Sequence, residues 1–235
     1  MKKSLSLTLL VMAGLVLFSI ASCGGSKADT AGTEKMQLAE AGYTDDYENV
    51  YDDAYEEEAP IASTFKPFSV YSDGRSPDNH YIPAGYMGDH SDIKIDNSSF
   101  DNPHSGTTCI KITYTNAASQ GARWGGVYWQ NPANNWGDRK GGFDLTGATK
   151  LTFWARGAVG EERIEEFRIG GLTGLYPDSD IAGIGPVLLT TEWEQYEIDL
   201  RGKDLSYISG GFCWSTNLDV NPDGIVFYLD DIKYE

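Results

Sequence analysis

The chain predicts an all-β fold, an antiparallel jelly-roll β-sandwich, on three observations. From residue 65 onwards, short segments rich in β-branched and aromatic residues follow one another. Gly, Pro, Asn or Asp punctuates nearly every gap between them. No stretch sustains a 3.6-residue period over eleven residues without a glycine, so nothing competes as a helix. The composition agrees, with 27 Gly, 14 Tyr and 6 Trp among 235 residues of which 23% are charged.

Residues 1–22 precede that domain as an export signal. Lys2 and Lys3 form a positive start, and Leu5 to Ile20 form an apolar run too short to span a bilayer as a helix. The run ends in Ile20-Ala21-Ser22-Cys23, which resembles the bacterial lipobox. That resemblance implies cleavage before Cys23 and a covalent lipid on its thiol, hence a membrane anchor with palmitate-type acylation. Gly24 follows the cysteine where Asp would favour inner-membrane retention, so the expected location is the bacterial outer membrane.

Residues 23–63 read as an acidic tether. After Cys23 they carry eleven acids against Lys27 and Lys35 and few large aliphatics. Such a segment buries too little apolar surface to offset the entropy of ordering it. Tyr43, Tyr47, Tyr51 and Tyr55 recur every four residues, but the glutamate and aspartate runs between them repel. A flexible stalk of this length spans on the order of 35 Å.

Residues 64–235 carry the strands: FKPFSVYS, TCIKITYT, GVYWQ, KLTFWARG, EEFRIGG, PVLLT, EQYEIDL, GGFCWS and IVFYLDDIKYE. Alternation within each assigns faces. Leu151, Phe153, Phe167, Ile169, Ile198, Ile110 and Ile112 point to the core, while Trp154, Arg156 and Arg168 point away from it. Trp129 and Trp193 are assigned to packing. The remaining thiols, Cys109 and Cys213, sit in separate strands and are expected to stay unpaired as small buried hydrophobes.

The succession PHSGTTCIKITY, WGGVYWQNPANNWG, GGFDLTGATKLTFWARG, EWEQYEIDLRGKDLS and NPDGIVFYLDDIKYE resembles bacterial carbohydrate-binding domains with the galactose-binding-like jelly roll, over about residues 65 to 235. Such domains occur in exported lipoproteins and beside glycanases. A sugar ring offers an apolar face and a hydroxyl edge, so a binder needs aromatic platforms with planar donors and acceptors. The outward set Tyr128, Gln130, Trp154, Arg156 and Arg168 supplies them, and Trp124 and Trp136 bracket the strand GVYWQ in Gly/Asn-rich surroundings. The alternative for the outward set is a simply solvated sheet face. The resemblance also implies a structural Ca²⁺ held by Asp230 or Asp231, with Asp73 and Asp96 as weaker partners; a salt bridge or an exposed Asp pair is the alternative. Asp219 to Asp230 has near-EF-hand spacing, yet Asn221-Pro222-Asp223-Gly224 reads as a type I turn.

Catalysis finds no complete motif. Glu197-Ile198-Asp199 matches part of a jelly-roll glucanase signature without its second glutamate, and retaining hydrolysis needs two carboxyls about 5 Å apart. His80, His90 and His104 show no metal-ligand spacing. A net charge of -17 without a basic stripe excludes nucleic acid as the partner. The expected function is therefore non-catalytic glycan binding by a lipid-anchored envelope protein. Two readings stand behind it: a jelly-roll glycoside hydrolase, and an interaction subunit of the envelope without a sugar ligand.

Overall fold

The computed structural model describes residues 64–235; the export signal, Cys23 and the acidic tether lie outside the described residues. Thirteen strands occur in the order β1 (Phe68–Tyr71), β2 (Ile82–Gly88), β3 (Ile93–Ser99), β4 (Cys109–Tyr114), β5 (Trp124–Gln130), β6 (Lys150–Gly157), β7 (Arg163–Ile164), β8 (Glu166–Gly170), β9 (Ile181–Ile184), β10 (Val187–Leu188), β11 (Glu194–Asp199), β12 (Gly210–Asn217) and β13 (Ile225–Tyr234). They form the expected antiparallel jelly-roll sandwich. Sheet A runs β11-β6-β13-β4-β3, with β1 pairing to β13, and sheet B runs β2-β5-β12-β8-β9. A two-stranded ribbon joins β7 to β10.

The core residues come from the alternation. Phe153, Leu151, Ile110, Ile112 and Phe227 of sheet A meet Trp129, Phe167, Phe212 and Trp214 of sheet B, all fully buried. The rings interlock edge-on, with Trp129 5.6 Å from Phe212 and Trp214 5.0 Å from Phe227. Nonpolar surface taken from water here, at about 25 cal/mol per Å², is what holds the two sheets together.

Four strands escape the sequence pattern, among them the two-residue β7. β2 (IPAGYMG) holds a proline and two glycines and lies at the edge of sheet B, where a missing backbone donor is tolerated. β3 (IKIDNSS) is largely polar because it edges sheet A, and β9 (IAGI) edges sheet B. PVLLT contracts to the two residues of β10, and Leu189 beyond it turns into the core. Within residues 161–166, Glu162 is buried and accepts the Ala158 and Val159 N–H groups at 2.7 and 2.9 Å. Asn221–Gly224 closes as a turn, the Gly224 N–H donating to the Asn221 carbonyl at 3.0 Å.

Candidate functional site

The outward-pointing residues of the sequence divide between two sheets, so they do not make one face. Trp154 and Arg156 stand on β6 in sheet A; Tyr128 and Gln130 on β5 and Arg168 on β8 stand in sheet B. Alternation reports which way a side chain points from its own sheet and is silent on which sheet it belongs to.

On sheet A the expected contact residues are covered. The segment from Phe100 to Ser105 straps across β13 and β6. His104 stacks on Trp154, centroids 3.8 Å apart and 16° from parallel. Arg156 donates to the Asp101 carbonyl at 2.7 Å and lies 3.7 Å from the Tyr228 ring centre, with Trp193 on its other flank at 5.1 Å. Trp193 in turn donates to the Asn102 carbonyl at 2.9 Å. Arg156 is 9% exposed. Its guanidinium is spent on two rings and a loop carbonyl, and Trp154 is left with one face at most.

The strap is held by the two aspartates expected to bind calcium. Asp230 is fully buried, and its Oδ2 accepts the His104 and Ser105 N–H groups at 3.0 and 3.3 Å. Its Oδ1 accepts the Asp231 N–H at 2.9 Å. Asp231 faces His104 Nδ1 at 2.8 Å and the Ser105 hydroxyl at 3.0 Å. Burial, then the adjacent Asp231 charge, pushes Asp230 up to about 6, against the N–H bonds that favour its ionised form. Asp73 sits elsewhere, capped by the Gly74 and Thr107 N–H groups and the Thr107 and Thr108 hydroxyls. Asp96 lies opposite Lys111 on β3, with β4 between it and β13, about 10 Å away at the usual strand spacing. Among the described residues no three carboxylate, imidazole or thiol groups converge as a metal cage. The aspartates are arranged to accept N–H and O–H hydrogen bonds, and Asp73 and Asp96 stand apart from Asp230 and Asp231.

Sheet B presents a different surface. Across its outer face, one rung reads Met87, Gly126, Ser215 and Glu166; the next reads Gly85, Tyr128, Cys213, Arg168 and Gly183. Small residues therefore flank Tyr128 and Arg168, and Met87 lies over Gly126 and packs on the cluster around Tyr128. Tyr128 and Gln130 themselves are buried, contrary to their expected contact role. Tyr128 donates to the Gly170 carbonyl at 3.1 Å and packs with Leu172 and Cys213 in a small apolar cluster on the outer side of the sheet. The Gln130 amide is enclosed against Gly85 and has no protein partner at either atom.

What reaches solvent rests on Tyr128. Trp136 meets its ring edge-on at 6.1 Å and is 41% exposed. The Arg168 guanidinium lies 5.1 Å from the same ring and 3.2 Å from Glu166. At the far end of β5, on the same face, Trp124 is also 41% exposed. Strand rise puts it about 13 Å from Tyr128. The result is one sheet face that carries a polar pair on β8 and two exposed indoles, one against Tyr128 and one at the far end of β5.

The surrounding loops are fixed. Buried Asn135 donates to the Arg139 carbonyl at 3.0 Å and accepts the Gly137 N–H at 3.1 Å, which sets the turn carrying Trp136. The Tyr176 N–H donates to the Gly137 carbonyl at 2.8 Å and knits this turn to residues 171–178. Asp178 accepts the Leu172, Ser209 and Gly210 N–H groups; burial raises its carboxyl above the ordinary value. Leu172, Asp178 and Glu166 carry no motif in the sequence, and only their placement reveals them.

Glu165 and Glu166 on this face each have a cation. Glu165 and Glu166 line a cavity of about 490 Å³ beside Gly183 and Ser215. Glu165 pairs with Arg163 at 2.7 Å and Glu166 with Arg168. Glu197 and Asp199, the partial glucanase motif, are exposed on the edge strand β11, and Asp199 is held to about 2 by hydrogen bonds from Arg201.

No protein-family model matches the chain, and no curated protein does. Among solved structures the chain is similar to a family 30 carbohydrate-binding module, at 16% identity with a TM-score of 0.50, covering 73% of this chain and 88% of that one. It is also similar to the family 30 module of a cellulosomal cellulase of Clostridium thermocellum, at 16% identity and a TM-score of 0.48, over 72% of this chain and 97% of that one. At such identity the likeness is one of fold, and the fold it bears out is the antiparallel jelly-roll sandwich.

Proposed function

We propose that the protein binds carbohydrate without cleaving it, on the outer face of sheet B. The observation that carries this reading is the pair of exposed indoles, Trp136 against Tyr128 and Trp124 at the far end of β5, on the same sheet face as Arg168 and Glu166. An indole face stacks on the apolar face of a pyranose, and a guanidinium–carboxylate pair offers planar donors and acceptors to the hydroxyl edge. The first of these structures, which shares the fold, is described as a carbohydrate-binding module, which supports the reading. The pairing of Glu165 and Glu166 with arginines favours recognition over acid–base chemistry. In the same proposal Cys23 carries the lipid that tethers the domain to the bacterial envelope through residues 24–63, a reading that rests on the Ile20-Ala21-Ser22-Cys23 sequence.

Affinity electrophoresis through gels containing a panel of soluble polysaccharides tests the binding. Retardation by at least one polysaccharide, reduced at least about tenfold in affinity by Trp136→Phe combined with Trp124→Ala, is the expected result. Retardation unaffected by that pair moves the site elsewhere, and no retardation by any polysaccharide removes the function. Labelling with an alkyne fatty acid in a bacterial host, lost in Cys23→Ser, tests the anchor.

A further inference from the structure

We propose that the protein has a second saccharide site, remote from sheet B, which accepts the end of a neutral glycan of one or two sugar units. It is a cavity of about 610 Å³ at the end of edge strand β3, lined by Asp73, Arg75, Ser76, Ser98, Phe100 and Thr107 among others. That volume lies within the range of small-ligand pockets. Phe100 stands at its rim with 77% of its surface exposed, the largest fraction among the exposed aromatic side chains described. A ring held in water at that cost is a platform in want of an apolar partner.

The wall is preorganised by bonds that have no part in sheet B. Both oxygens of Asp73 accept from residues 74, 107 and 108, so its charge is matched by N–H and O–H donors. Gly74 comes so close to Ser98 that a β-carbon would overlap the hydroxyl, which draws the 73–76 segment against β3. On the other wall, the chain from Phe100 to Thr108 is fixed by the Asp230 and Asp231 bonds already described. Arg75 is exposed and makes no ion pair with any described residue, so all its donors are open to a ligand. A flat apolar group, an unengaged planar donor and hydroxyls from Ser76 and Ser98 are complementary to one pyranose face and its vicinal hydroxyls. The cavity's other charge is carboxylate and the protein is strongly acidic, which disfavours an anionic sugar and leaves a neutral one.

The test titrates the ¹⁵N-labelled full chain with cellobiose, laminaribiose, xylobiose and mannobiose in turn, reading amide shifts. At least one disaccharide should move the amides of Gly74, Arg75 and Thr107 in a saturable manner. Phe100→Ala should weaken that binding about tenfold, and Arg75→Ala should weaken it as well. Both residues are exposed, so neither change threatens the fold. Trp136→Phe with Trp124→Ala should leave these shifts intact. Shifts confined to sheet B, shifts undiminished in Phe100→Ala and Arg75→Ala, or none at 73–76 and 107–108 with any of the four sugars would each overturn the second site while leaving the sheet B reading to its own result.

Discussion

Asp230 makes the stability of this protein depend on pH in a direction opposite to most carboxylates. Its ordinary value of 3.8 rises to about 6 in the fold, because it is buried beside Asp231. The folded chain therefore holds a proton that the unfolded chain has already released. The stability associated with that proton is fully present below about pH 4 and is lost as pH rises through 6. The difference between the two values corresponds to up to about 3 kcal/mol at 1.36 kcal/mol per pKa unit. Asp230→Asn removes the titration and keeps the shape, so its stability relative to the native chain isolates this group from the rest. Urea unfolding followed by tryptophan fluorescence from pH 4 to pH 8 supplies the measurement. Relative to Asp230→Asn, the native chain should lose about 2 kcal/mol of stability between pH 4 and pH 8, at equal m-values. Asp231→Asn should lower the Asp230 carboxyl, read by ¹³C carboxyl shifts. Parallel stability curves for native and Asp230→Asn chains across that range would refute the argument.

Three further outcomes follow from particular contacts. Trp154→Ala strips the support from His104 and should lower the melting temperature while leaving polysaccharide retardation unchanged, because the residue lies on sheet A beneath the strap. Gly211→Ala drives a methyl group into the buried Tyr81 ring, whose hydroxyl donates to the Ile208 carbonyl, and should cost about 1–3 kcal/mol in urea unfolding. Cys109 and Cys213, buried in different sheets with thiols raised to about 11 and 12, should resist a thiol reagent until the chain unfolds, and reductant should not shift the melting temperature.

Much of the sandwich was legible because a strand buried on one face must alternate. KLTFWARG coincides with β6, and the core faces of β4, β6, β8, β11 and β12 follow from parity. Edge strands were not legible, since β2, β3 and β9 have less to bury and carry proline, glycine or polar residues instead. The site was half legible. Trp124 and Trp136 are exposed, but Tyr128 and Gln130 became supports once residues 171–178 closed over that end of the sheet. Trp154 and Arg156 looked identical in pattern to Arg168, yet lie on the other sheet under His104. That imidazole comes from fifty residues earlier in the chain, and no local period encodes so distant a contact.

The position of β13 has a consequence for how the protein is made. It is the middle of sheet A, pairing with β4, which lies more than a hundred residues before it, as well as with β6 and β1. Its aspartates also fasten the 100–105 strap. Until residues 225–234 have left the ribosome, β4 and β6 have no strand between them and the aromatic core has half a lid. Pairings this distant slow folding. A nascent chain of this kind leaves sheet A open until that central strand has been made.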